Sequence, residues 1–143
     1  MDNVDVQIVE LLKRNSRITS SEISKAVHLS VPAVSERIRK LEEKGTIERF
    51  TLRLNREASG RHLLAYISVI IEHPKYIEAF TRQVAEESCI LECHHLAGDY
   101  DYLLKIGVRD INSLEQFISG TIKQFAGVVK TKTTIVLSTL KEE

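Results

Sequence analysis

The sequence predicts an α+β protein in two parts, three short helices followed by an antiparallel βαββαβ domain. Three observations carry that prediction. Apolar residues recur at helical spacing up to about residue 45, then switch toward a period of two. From about residue 63, four strand-like runs alternate with two helical ones. The charge divides the same way: residues 1–62 hold 12 Lys/Arg against 9 Asp/Glu, a net of +3, and the remainder is −3, so the 143-residue chain is neutral overall.

Each element has its own signal. Val4, Ile8, Leu11 and Leu12 form one stripe of a first helix, opened by Asp2 or Asn3 and ended near Asn15-Ser16. Thr19-Ser20-Ser21-Glu22 is a capping box, in which hydroxyl and carboxylate each satisfy an orphan backbone N–H; Ile23, Ala26 and Val27 then face inward on a second helix. His28-Leu29 makes a tight connection. Ser30 caps a third helix from about Val31 to Lys44, with Pro32 tolerated in its first turn, Val34, Ile38 and Leu41 inside, and Gly45 as the stop. From Thr46 an extended segment follows, with Arg49–Asn55 as a linking strand and 55–61 as linker. The expected domains are 1–48, a linking region 49–62, and 63–143.

In the second part Leu64–Glu72 is a strand and Pro74–Glu87 a helix with Ile77, Phe80 and Val84 inward. Ile90–Leu96 and Tyr100–Val108 are strands joined at Ala97-Gly98-Asp99. A second helix opens at Asn112 with Glu115 as capping partner, buries Leu114, Phe117, Ile118, Ile122 and Phe125, and stops at Gly127; Val128–Leu140 is the last strand. This order is a split βαβ unit, a ferredoxin-like sheet with both helices on one face. Ala65, Ile67, Val69 and Ile71 line one side of the first strand, yet Tyr66 and Ile70 are apolar on the other, and Leu103 opposes Tyr102, Leu104 and Ile106. A face greasy on the side without helices is expected to pack against a second copy in an isologous dimer.

Within residues 13–40 seven basic residues stand against Glu22 and Glu36, a local excess of +5. Two short helices joined by a tight turn, the second basic on its outer face, meet the steric needs of a helix-turn-helix in the DNA major groove. Ser30, Ala33 and Ser35 are then the close-approach group, Glu36, Arg37, Arg39 and Lys40 the remainder of the face, and Arg14 and Arg17 flanking phosphate contacts. The bland reading is a three-helix interaction module with a solvated basic side. At the turn of the second part, Gly98 permits a positive φ and exposes backbone N–H groups, Asp99 and Asp101 suit an ammonium group, and Tyr100 supplies a wall. Together these fit a free amino acid; the competing reading is an ordinary hairpin turn.

Other classes fall away. Nowhere do about 18 apolar residues run together, and the polar start lacks a signal-peptide pattern, so a cytoplasmic protein without a membrane partner is expected. Two cysteines, Cys89 and Cys93, are too few for a disulfide scaffold. Cys89, Cys93, His94 and His95 are the one cluster that invites a metal reading, but by strand rise Cys89 and Cys93 lie about 13 Å apart, too far for a shared ion. No nucleophile elbow or phosphate-cradling glycine loop occurs, which points away from an enzyme and from any catalytic residue or cofactor.

The segments Arg17-Ile18, Glu22-Ile23, His28-Leu29-Ser30, Val34–Glu42 and Gly45-Thr46-Ile47 resemble the DNA-binding half of the Lrp/AsnC, or feast/famine, transcription regulators. Leu96–Lys105 is similar to the glycine-acid-aromatic-aspartate turn of that family's amino-acid-sensing domain. The resemblance covers essentially the whole chain. It implies a bacterial or archaeal regulator whose dimers assemble further, commonly into octamers, and which wraps or bends double-stranded DNA. It also implies an amino-acid effector held between dimers near Gly98, Asp99, Tyr100 and Asp101, with Thr133 and Thr134 contributed by the last strand. Some members work without an effector, which leaves an architectural DNA-binding protein as the alternative, and a metal-sensing regulator behind it.

Overall fold

The computed structural model describes all residues, Met1–Glu143, and divides into two compact units, Met1–Arg53 and Leu54–Glu143. The first unit holds α1 (Asn3–Arg14), α2 (Ser20–Val27) and α3 (Val31–Glu43). Each helix opens on a side-chain cap. The Asp2 carboxylate accepts the Asp5 N–H at 2.8 Å, Thr19 Oγ1 accepts the Glu22 N–H at 3.1 Å, and Ser30 Oγ accepts the Ala33 N–H at 3.3 Å. The Glu22 carboxylate returns the favour to the Thr19 N–H at 2.8 Å, completing the box. The α2–α3 turn is closed by His28 in the left-handed region (φ 57°) and by the Ser24 hydroxyl, which donates to the Leu29 carbonyl. Ile8, Leu12, Ile23, Val27 and Val34 form the core of this unit.

Gly45 takes φ +70° and the Ile47 N–H reaches back to the Leu41 carbonyl at 3.0 Å, ending α3. Beyond it the expected linking strand Arg49–Asn55 has no ladder, and Phe50 and Leu52 are exposed. Alternation marked these residues as extended, but a strand exists only where a neighbour takes its backbone hydrogen bonds, and this chain offers none there.

The second unit runs β1 (Leu63–Ile71), a 3-10 turn, α4 (Ile77–Glu86), β2 (Ile90–His95), β3 (Tyr102–Val108), α5 (Ile111–Gly120), a second 3-10 turn, and β4 (Val128–Ile135). The sheet order is β2-β3-β1-β4, with every neighbour antiparallel. Ala65, Ile67 and Val69 sit opposite Ile106, Leu104 and Tyr102, and these six are buried beneath the helices with Leu114, Phe117 and Phe80. Phe80 lies 5.0 Å from the Tyr102 ring and 6.1 Å from Phe125. The opposite face carries Tyr66, Ser68, Ile70 and Leu103, half-buried, while its far end is covered by the chain itself: Leu64 is buried, and the Arg61 and Leu91 side chains lie over Gly107.

Three expected boundaries move. α5 is capped by Asp110, which accepts the Ser113 N–H at 2.8 Å, two residues ahead of Asn112; Glu115 instead takes the Ser119 hydroxyl at 3.1 Å. The same helix ends at Gly120, and a 3-10 turn then delivers Ile122 and Phe125 to the core. Gly127 stands at the start of β4 with φ +74°, and a Cβ there would come within 2.6 Å of Tyr76, so only glycine fits. β4 stops at Ile135, not Leu140, because β1 runs out: the Val136 N–H to Leu64 carbonyl bond, 2.9 Å, is the last of the ladder. The tail beyond is held by Arg56, which donates to Thr139 Oγ1 at 2.8 Å and lies 3.6 Å from Glu142, leaving Leu137 and Leu140 almost fully exposed.

Candidate nucleic-acid interface and effector turn

The outer face of α3 follows from helical arithmetic. At about 100° per residue, Glu36, Arg39, Lys40 and Glu43 point away from buried Val34, whereas Arg37 lies only about 60° from it. The structure bears out that geometry. Arg39 is exposed and paired along its own helix, 2.7 Å from Glu36 and in contact with Glu43, while Lys40 lies 3.8 Å from Glu36. The Arg39 hydrogen bond holds the Glu36 carboxyl below its ordinary range, and the two carboxylates keep Arg39 firmly protonated. Such exposed pairs are weak and salt-screened, so little holds the guanidinium to its own helix.

Arg37 is employed elsewhere. Its Nη1 donates to Asp2 at 2.6 Å and to Asp5 at 2.8 Å, tying α3 to the first turn of α1, and this contact depresses the Asp2 carboxyl. The basic residue expected on the DNA face is thus an internal brace. Ser30 is exposed but committed as a cap, Ala33 is half-buried beside it, and the Ser35 hydroxyl donates to Ser20 at 3.3 Å. Ser20 thus joins the group around Ser35, a neighbour that Thr19-Ser20-Ser21, read only as a helix start, does not announce. Arg14 and Arg17 are exposed, and no carboxylate stands within ion-pair distance of either. Arg14 rims a groove of about 310 Å³ between α1 and α2, floored by Leu11, Ala26 and Val27.

The turn of the second unit departs from its expected geometry in two ways. Gly98 is not in the positive-φ region. The Asp101 carboxylate accepts the Ile71 N–H at 2.8 Å, and its own N–H donates to the Val69 carbonyl at 2.9 Å, so Asp101 pins the turn to β1. An aspartate that folds back to cap a neighbouring strand satisfies a polar group that the end of the ladder would strand. Between Leu96 and Asp101, which bond to each other at 2.8 Å, the N–H groups of Ala97, Gly98, Asp99 and Tyr100 have no protein acceptor. Asp99 is exposed, and the Lys130 ammonium lies 5.7 Å from the Tyr100 ring centre. Thr133 pairs with Ile67 and Thr134 with Tyr66, so they face opposite sides of the sheet and cannot line one site of this chain together. The β4 residues level with the turn are Lys130 and Thr131, opposite Ile70 and Val69.

The cysteine and histidine cluster is dispersed. His95 stacks on Tyr102 at 4.9 Å, His94 lies 3.6 Å from Glu92, and burial pushes both thiols, Cys89 and Cys93, up from their ordinary value. No three of its His, Cys, Asp or Glu side chains come together as a set able to hold a metal ion. No helix is long and apolar enough to cross a membrane.

Comparison with known proteins agrees with both halves of this geometry. The family profile described as the Lrp/AsnC ligand binding domain matches residues 64–143, and that described as winged helix-turn-helix DNA-binding matches residues 1–48. Over 142 residues the chain is 37% identical to the HTH-type transcriptional regulator FL11 of Pyrococcus abyssi, spanning 99% of this chain and 93% of the relative. It is 33% identical over 144 residues to the leucine-responsive regulatory protein of Escherichia coli, spanning 99% and 88%. A transcriptional regulator of Neisseria meningitidis, solved as its L-Met complex, matches with a TM-score of 0.94 at 30% identity, over 99% of this chain and 93% of that one.

Proposed function

Since the chain belongs to the Lrp/AsnC family of DNA-binding transcriptional regulators, we propose that it reads double-stranded DNA through the outer face of α3, as a cytoplasmic homodimer that assembles further into an octamer, and that it responds to a free amino acid at the 96–101 turn. The family is one of regulators, not enzymes. The observation that carries the DNA reading is the division of labour on α3: Val34 and Leu41 are buried, Arg37 braces, and Arg39 and Lys40 stand outside, held only by weak pairs with their own helix. Arg14 and Arg17 add unpaired charge for phosphates.

A twofold dimer sets its recognition helices about one DNA turn apart, about 34 Å. Arg39→Ala is expected to weaken binding to a specific operator roughly tenfold in a gel-shift titration, with the oligomer intact by light scattering. Unchanged affinity would remove α3's outer face from the interface. An octamer predicts an eight-chain mass in the same measurement.

For the effector, the support is the row of four unpaired N–H groups beside Asp99, a fit for the carboxylate and ammonium of an amino acid, together with the L-Met held by the neisserial relative. Calorimetry against the twenty amino acids, with Asp99→Ala as control, tests it. One observation favours the effector-free alternative: Asp101, the second expected ammonium partner, already serves the Ile71 N–H. Absence of heat with every amino acid would leave an architectural DNA-binding protein.

A further inference from the structure

One cation stands beside the 96–101 turn without a partner of its own charge class. Lys130 lies on β4 directly opposite Ile70 of β1, and the turn enters β3 at Tyr102, which pairs with Val69 one residue back. The turn therefore meets the end of β1 beside Ile70, and Lys130 stands on the other side of that residue. Two strand spacings, about 10 Å, separate the backbone of β4 from that of the turn. The lysine side chain reaches across most of this gap: its ammonium lies 5.7 Å from the centre of the Tyr100 ring. Lys130 is exposed, with no carboxylate within ion-pair distance, and Ile70 beneath the gap is half-buried.

An exposed ammonium gains only a weak attraction from an aromatic face, less than a charge-assisted hydrogen bond to a carboxylate supplies, so Lys130 is open to an anion. The turn then offers two places for a negative group, the unpaired N–H groups from Ala97 to Tyr100 and the Lys130 ammonium. For a positive group it offers the exposed Asp99 carboxylate, with Asp101 already holding the Ile71 N–H. An amino acid with a neutral side chain satisfies the N–H row and Asp99 and leaves the lysine idle. A basic side chain meets it with like charge. A dicarboxylic amino acid, with two negative groups and one positive, matches all three, and its methylene groups lie over Ile70.

We propose that the effector is an acidic amino acid, glutamate or aspartate, and that Lys130 selects it by pairing with the side-chain carboxylate. The inference rests on reading the 96–101 turn as an amino-acid site and adds the class of amino acid. The N–H row and Asp99 take the groups that every amino acid shares, so they give affinity without choice. Lys130 is the one charged group at the turn that is left for the side chain, and specificity is the difference it makes between an acid and its neutral amide.

Calorimetry of the full chain with L-glutamate, L-aspartate, L-glutamine, L-asparagine and L-methionine tests it. The amides are the informative controls, because each matches its acid in shape and lacks only the charge. The better-bound acid is expected to bind roughly tenfold tighter than its amide. Lys130→Met is expected to erase that ratio, weakening the acid and leaving the amide where it was, while Lys130→Arg keeps it. Asp99→Ala weakens acid and amide alike. Methionine or an amide binding as tightly as the acids would overturn the acidic preference and leave the turn an amino-acid site. Equal loss of acid and amide in Lys130→Met would assign the lysine to the shared carboxylate or to the fold, and would overturn its selecting role. Heat from none of the five would remove the amino-acid reading of the turn, and this inference with it.

Discussion

The helical unit and the sheet unit are built on different terms. The first has a core of a few aliphatic side chains, with polar groups arranged to finish helix ends: Asp2, Thr19, Glu22 and Ser30 as caps, and Arg37 across to Asp2 and Asp5. The second has a core of twelve buried residues drawn from the two central strands, both helices and the turn after α5, while most of its charges lie at edges and in loops. The lesson is one of allocation. Where the core is small, polar chemistry does structural work and only some cations remain for a ligand, so Arg37 is used internally while Arg39 is presented.

The comparison is tested hardest by removing volume. Phe80 is fully buried among Tyr102 and Phe125, and Phe80→Ala is expected to destabilise the sheet unit by about 3–5 kcal/mol, from lost transfer energy plus the cavity left behind. Hydrogen exchange on the full chain reads the two units separately. Faster exchange in peptides of residues 63–135 with little change in 1–45 is the expected outcome, and equal loss in both would show that the units do not stand independently.

Acid should invert the ranking. The Asp2 carboxyl is held below its ordinary range first by the Arg37 hydrogen bond, Glu22 by the Thr19 N–H, and Glu36 by Arg39; in the sheet unit Asp110 is shifted the same way by the Ser113 N–H. A carboxylate depressed on folding contributes stability that is complete above its unfolded value and lost as pH falls through the folded one. The helical unit is therefore expected to loosen first as pH drops below about 4, by hydrogen exchange corrected for its intrinsic pH dependence. Earlier opening of the sheet unit would contradict the allocation.

What the sequence made legible follows the range of the interaction. The caps at Thr19 and Ser30, the stop at Gly45 and the inner stripe Ile8, Leu12, Ile23, Val27, Val34 depend on residues a few positions apart, and they are where the spacing puts them. The αβ order also survives, because each element's period is local. What moved depends on distant partners. β4 ends where β1 stops offering hydrogen bonds, Arg49–Asn55 lacks a neighbour, and Asp101 also serves as a strand brace because Ile71 ends beside it. Arg37 was in principle readable: its angular position next to Val34 places it at the margin of the core, though its partners thirty-odd residues upstream were not.

The smallest expected effect bears on whether the α2–α3 turn serves stability or contact. His28 occupies the left-handed region, φ 57° and ψ 41°, a conformation that costs a residue with a Cβ roughly 1–2 kcal/mol and glycine nothing. Its ring is exposed and makes no hydrogen bond, so His28→Gly forfeits no contact, and after the extra entropy of glycine in the unfolded chain a net gain of about 0.5 kcal/mol remains. Thermal unfolding should show the helical unit slightly stabilised. DNA affinity then decides the reason for a histidine at that position. If affinity is unchanged, the turn tolerates the strain and the imidazole is incidental; if affinity falls while stability rises, the ring reaches the nucleic acid and the helical unit has spent stability on contact here, as it declined to do with Arg37.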